Sequence, residues 1–289
     1  MTATAIAATD RPTGIPIRRP KVDLANADLD RWMVPGDPLF SHLLAALSAA
    51  FPNGEDFFVE SVRNYRSRVE SDPVLKARVK GFIGQEAMHG REHRALNARL
   101  SALGYPTEDL DRDILVAATR LQKLPKPVQL AITAASEHFT TVLARTVLGD
   151  EQTRETLFPA PDARLLITWH ALEELEHKDV AFDLLKEVDG SYALRVLGLL
   201  LAAGGFGTAL ARGYVRGVVA DRRHLGFSAL RRHVRNRRKQ QMVSGRSALA
   251  ILGYVRPGYH PRHMDTDALV VEWRERLGPY VTTNPRRAS

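Results

Sequence analysis

The chain of 289 residues contains no cysteine. That absence excludes a disulfide-stapled scaffold, a thiolate zinc site, a cysteine nucleophile and a cysteine-ligated iron–sulfur cluster. Aromatic residues are scarce, at 7%, which leaves few rings for stacking on nucleobases. Glycine (20) and proline (16) are too few for a collagen-like or low-complexity chain. Within residues 1–21 the only apolar run is Ala5 to Ala8, too short for the core of an export signal. The longest stretch without a charge, Val196 to Ala211, has 16 residues. A membrane-spanning helix needs about 20, and Gly204-Gly205 weakens this one. It reads as a buried helix, with a membrane-embedded or membrane-surface segment as the alternative. What remains is a soluble or membrane-peripheral globular protein, expected in the cytoplasm and long enough to bury a core unaided.

What is present is helical. Turn and capping signals divide the chain into long segments of 3.6-residue periodicity, and almost nothing alternates with a period of two. Residues 39–50 form a short apolar helix ended by Phe51-Pro52, after which Asn53 caps a new helix with Asp56 three residues on. Asp72-Pro73 opens a helix that runs to Leu103, where Gly104 and Pro106 stop it. Further helices are expected at about 109–121, from Pro125 and Pro127 to Gly149, from Pro161 to Asp189, and at about 191–220, 227–242 and 265–277. The pair 53–70 and 73–103 is coarsely repeated by 128–149 and 162–188. The expected organisation is a flexible arm over 1–35, an all-α bundle over 36–190, and an apolar helix followed by a basic helical extension over 191–289.

The chemistry-bearing residues lie on those pairs. Each second member carries Glu-x-x-His: Glu86-Ala87-Met88-His89 and Glu174-Leu175-Glu176-His177. Positions i and i+3 share a helix face, so a carboxylate oxygen and an imidazole nitrogen reach one point. With 15 Glu and 10 His in the chain, chance gives about 0.5 such pairs, so two pairs alone are only suggestive. Each such helix also follows one bearing a Glu among apolar residues: Glu137 within Leu130 to Ala144, and Glu55 on the face of Phe58, Val59 and Val62. An unpaired carboxylate there is costly. Four-helix carboxylate bundles of the ferritin-like kind use this set, one Glu from each of two helices and Glu-x-x-His from each of the others. Two divalent cations offset the four negative charges. His170 shares a face with Glu174 and His177 and offers a third imidazole. The metal ligands expected are therefore Glu55, Glu86, His89, Glu137, His170, Glu174 and His177, with Glu60 as the substitute if Glu55 serves only as a first-turn carboxylate. His93 and His138 read as structural or solvated, and Glu173 and Glu176 as surface charges.

At these residues the sequence resembles a family known as predicted metal-dependent hydrolases, with a ferritin-like fold. The resemblance is carried by residues 51–66, 82–97, 135–144, 169–183 and 258–265 and covers roughly 35–280. It implies a ferritin-like four-helix bundle with additional C-terminal helices. The pattern His170-x-x-x-Glu174-x-x-His177 is also locally similar to that of di-iron arylamine N-oxygenases. Carboxylates and imidazoles without thiolate suit iron, manganese or zinc, and a mixed oxygen and nitrogen site in a bundle favours iron or manganese, two Fe ions being the expectation. Iron implies oxidation or oxygenation of an apolar small molecule. Zinc or manganese implies metal-centred hydrolysis of an ester or amide. A non-catalytic ferritin-like metal-binding protein is the third reading.

The formal net charge is +8, and residues 211–240 alone hold ten basic side chains against Asp221. Such a segment is a solvated basic helix, a contact for anionic membrane through 196–239, or a nucleic-acid surface; the last is disfavoured because Phe227 is its only stacking aromatic apart from Tyr214. A homodimer is a further expected assembly.

Overall fold

The computed structural model describes residues 14–283. Four long helical arms carry the core: α1 (Pro38–Arg63), α2 (Pro73–Ala102), α4 (Lys126–Gly149), and α6 (Pro161–His177) continued by α7 (Val180–Val188). α3 (Thr107–Leu121) and α5 (Glu151–Leu157) link them. α1 lies along α2, and α4 lies along α6 and α7. Beyond the bundle come α8 (Tyr192–Ala202), a π-helical turn at Ala203–Gly207, α9 (Thr208–Ala220), α10 (Phe227–Lys239), α11 (Gly245–Leu252) and α12 (Asp267–Leu277). This is the all-α bundle with C-terminal helices that the periodicity implied. Its only sheet among the described residues is β1 (Arg18–Pro20) antiparallel to β2 (Val281–Thr283), with Arg18 opposite Thr283.

Local chemistry explains the helix ends. Asp37 caps α1 by accepting from Phe40 N at 3.0 Å, and Asp72 caps α2 by accepting from Val74 N and Leu75 N. Pro38 and Pro73 occupy first-turn positions, where a missing N–H costs nothing. The break expected at Phe51-Pro52 does not occur. Pro52 lies inside α1, where it cannot donate to the carbonyl of Ser48. Asn97 Nδ2 on α2 supplies that bond instead, at 3.1 Å, so the helix runs on and Glu55 lies in its interior. Conversely, the helix expected over 162–188 is interrupted at Lys178 and Asp179. Lys178 Nζ donates to Met264 O and Thr266 Oγ1, and Asp179 accepts from Arg78 and Arg262.

Residues 14–35, expected as part of a flexible arm, are packed. Ile15, Leu24, Ala27, Leu29, Met33 and Val34 are buried. Gly81 and Gly84 of α2 make room for the segment, since a Cβ on Gly84 would lie 2.1 Å from Ile17 Cδ1. Residues 1–13 of the expected arm lie outside the described residues. The 196–211 stretch is not a buried helix. Only 22% of the most apolar window in Tyr192–Ala220 is buried, because one edge packs on the bundle while the other faces outward.

Two apolar clusters fill the bundle. One holds Leu44, Leu96, Leu166, Trp169 and Leu172; the other holds Phe57, Phe82, Leu130, Ile132 and Val180. Along α1, α2 and α4 the site residues fall between positions belonging to the two clusters. A polar layer therefore sits where the apolar packing changes over.

Candidate metal centre

Glu55 on α1, Glu86 and His89 on α2, Glu137 on α4, and His170, Glu174 and His177 on α6 are all buried. Helical spacing aligns the residues within each helix, and the antiparallel packing brings the helices' carboxylates to one level. Three overlapping sets hold ligand atoms within 4.8 Å of one another: Glu55, His89 and His170; Glu86, Glu137 and His177; and Glu86, His89 and Glu174. Glu174 Oε1 is the hub, 2.9 Å from His170 Nε2, 3.5 Å from His177 Nε2 and 3.8 Å from His89 Nδ1. Glu86 spans the same gap from α2, with Oε2 3.6 Å from His89 Nδ1 and Oε1 3.1 Å from His177 Nε2. Glu55 Oε1 closes one end, 3.6 Å from His170 Nε2. Glu137 Oε2 closes the other, 3.2 Å from His177 Nε2. The arrangement has two lobes with Glu86 and Glu174 between them.

A cation pair fits the donor set. Both carboxylate oxygens of Glu55, Glu86 and Glu137, together with His89 Nδ1 and His177 Nε2, are buried without a hydrogen bond. One orphaned group of this kind costs about 1–3 kcal/mol, and here eight such atoms converge. Burial, reinforced by neighbouring carboxylates, raises Glu55 and Glu86 well above the usual carboxylate range. Burial also pushes Glu137 up to about 7. Burial acts to raise Glu174 too, but His177 and His170 outweigh it and hold that carboxyl well below its usual value. His177 is the converse: burial acts to lower it, and Glu137, Glu174 and Glu86 carry it well above the usual imidazole range. Two divalent cations match four carboxylates in charge and offer acceptors to the unpaired atoms.

Each of the three imidazoles is fixed from behind. His89 Nε2 lies 3.1 Å from Glu173 Oε2, His177 Nδ1 2.9 Å from Gln85 Oε1, and His170 Nδ1 2.8 Å from His93 Nε2. Ser48 Oγ in turn lies 2.9 Å from His93 Nδ1. A carboxylate or amide oxygen behind a ring nitrogen holds the proton there and leaves the other nitrogen's lone pair facing inward. Thr140 Oγ1 donates to Glu174 Oε2. Arg18, reaching in from β1, pairs with Glu173 at 3.3 Å and Glu176 at 2.7 Å.

Several sequence readings change here. Glu173 and Glu176 are not surface charges: burial pushes Glu173 up to about 8. Burial acts likewise on Glu176, but Arg18 and Arg274 hold it below its usual value. Glu60 is exposed, whereas Glu55 sits inside the cluster and mid-helix rather than in a first turn. His138 stays apart from the seven, bonded to Ala250 O and Ile251 O at 3.1 Å and to Tyr259 Oη. Gln85 carried no sequence signal beyond adjoining Glu86.

A cavity of about 60 Å³ abuts the cluster. Leu47, Phe51, Leu143, Leu166, Ile167 and Met242 supply apolar walls, and Thr140, His170 and Glu174 reach its polar side.

Residues 16–265 match the model of a family described as "Predicted metal-dependent hydrolase". The chain belongs to that family. No curated protein and no solved structure matches it. The matched region of this predicted metal-dependent hydrolase takes in all seven clustered side chains, their supporting residues Gln85, His93 and Glu173, and Arg18. Metal dependence thus has a family description behind it and buried candidate ligand groups to carry it.

Proposed function

We propose that the protein is a dinuclear metal-dependent enzyme of ferritin-like type, holding two Fe ions and oxidising or oxygenating an apolar small molecule. The observation that carries this reading is the apolar cavity bordering Glu174 and His170. The chemistry that two Fe ions would supply when bound is reduction of dioxygen, with an external electron donor returning them to the ferrous state. Glu55, His89 and His170 would hold one ion, Glu137 and His177 the other, with Glu86 and Glu174 shared.

The chain's own residues prepare the site. Glu173 Oε2 and Gln85 Oε1 accept hydrogen bonds donated by His89 Nε2–H and His177 Nδ1–H, so both rings present lone pairs inward. Thr140 fixes the outer oxygen of Glu174 on the cavity side. Leu143, Leu166 and Phe51 exclude water and select an apolar reactant.

The family description favours a second reading, metal-centred hydrolysis of an ester or amide. The cavity argues against it, since apart from the candidate ligands His170 and Glu174 its only polar lining groups are Thr140, Ser48 and His93, each engaged within the protein, which leaves none to orient a polar ester or amide group. Loading the protein anaerobically with ferrous iron and then admitting oxygen separates the two. Oxygen uptake that depends on Glu86 is expected. No uptake by the iron form, with ester cleavage by the zinc or manganese form, would establish hydrolysis instead.

A further inference from the structure

The helical stretch Tyr192–Ala220 is long and apolar enough to cross a membrane by length and composition, yet it is fastened to the bundle. Gly198 approaches α4 so closely that a Cβ there would lie 2.4 Å from Ala131 O. Gly213 meets Leu110 of α3, and Gly217 meets His42 of α1. This edge of small residues anchors the helix along the body of the protein. The outward edge is apolar, with Leu197, Leu200, Val215 and Val219 exposed and Leu200 64% so.

The next helix continues the pattern. On α10, Phe227, Leu230 and Val234 are exposed at i, i+3 and i+7, and Phe227 is 83% exposed. Arg231, Arg235 and Arg238 form an exposed row beside them. Among the described residues these three arginines, like Arg212, have no carboxylate partner. Asp221, the single acid of residues 211–240, is already engaged by Arg31 at 2.5 Å and His42 at 2.9 Å. Exposed apolar rows and unpaired cations therefore share one segment that offers no free anion.

We propose that the outward edges of α8 and α9, together with α10, dock on the surface of an anionic lipid bilayer. The helices lie in the interfacial plane, their apolar side chains entering the acyl boundary and their arginines meeting lipid phosphates and carboxylates. Charge decides between this occupant and others. A second copy apposed by two-fold symmetry would set arginine rows against each other with no carboxylate to separate them. Nucleic acid would satisfy the arginines but leave Leu200, Leu230 and Val234 without an apolar partner. A bilayer with anionic headgroups satisfies both. Met242, three residues beyond α10, lines the apolar cavity, so the docked segment leads directly to the wall of that chamber.

Co-sedimentation of the full chain with vesicles tests this. Vesicles of phosphatidylcholine with about a third phosphatidylserine should bind the protein, with affinity falling as salt rises, and pure phosphatidylcholine vesicles should bind it far less. The triple variant R231Q/R235Q/R238Q should weaken binding about a hundredfold. Phe227→Asp should weaken it at least about tenfold. All four positions are exposed, so circular dichroism and bound metal should match the parent in both variants. The proposal fails if the folded parent ignores anionic vesicles, or binds both vesicle types alike in every variant. It fails equally if light scattering shows a dimer abolished by Phe227→Asp, or if duplex DNA binds and vesicles do not.

Discussion

Gln85 Oε1 lies 2.9 Å from His177 Nδ1, on the side of the ring opposite the carboxylates. Because an amide oxygen can only accept, His177 must carry its proton on Nδ1 and turn an unprotonated Nε2 toward Glu86 and Glu137 whenever a cation binds there. Gln85→Ala should lower metal affinity about 10- to 100-fold. Gln85→Glu, which keeps the acceptor, should recover most of it. Competition with a calibrated chelator measures both, and equal affinities in parent and alanine variant would show that Gln85 has no part in the site.

The bond from Asn97 to Ser48 predicts a coupling across the bundle. Asn97→Ala leaves the Ser48 carbonyl without a donor and should cost about 1–2 kcal/mol of unfolding free energy. In a Pro52→Ala background the restored N–H at position 52 supplies that donor, so Asn97→Ala should cost clearly less. A double-mutant cycle by denaturant unfolding reads the difference. Strict additivity would mean that Asn97 does not compensate for the proline.

The metal-free protein should lose stability between about pH 6.5 and 8. Glu137, pushed up to about 7, and Glu173, pushed up to about 8, stay protonated in the folded chain where unfolded carboxyls have lost their protons. Glu55 and Glu86 shift the same way. Stability contributed by such groups is complete below the unfolded carboxyl pKa and declines as pH rises through the folded one. His177, also raised, adds to the decline. His89 and His93, lowered chiefly by burial, act oppositely, but only below the ordinary imidazole value of 6.5. Glu174 titrates below the carboxylate range and does not enter this window. Melting temperature across this pH range should therefore fall for the metal-free chain, and metal loading should flatten the curve. A melting temperature that rises toward pH 8 without metal would contradict the electrostatics.

Helix starts and the spacing within helices were legible because they depend on neighbouring residues. Asp72-Pro73 marks the start of α2, and Glu86 with His89 needs only the helical repeat to share a face. The seven side chains chosen from that repeat meet in one cluster. What could not be read depends on distant partners. Pro52 looks like a stop until Asn97 is seen beside it. Glu173 and Glu176 look like surface charges until Arg18 arrives from a segment with no helical or strand periodicity. Lys178 and Asp179 look helical until residues 262–266 claim their side chains.

Metal content tests the central claim most directly. After loading with ferrous iron and removal of free metal, elemental analysis should find about two ions per folded chain. Glu86→Ala, which removes the carboxylate shared by both lobes, should reduce this to less than about one, and His177→Ala should empty the lobe it shares with Glu137. Full retention in both folded variants, or a parent chain that binds no metal, would contradict the account.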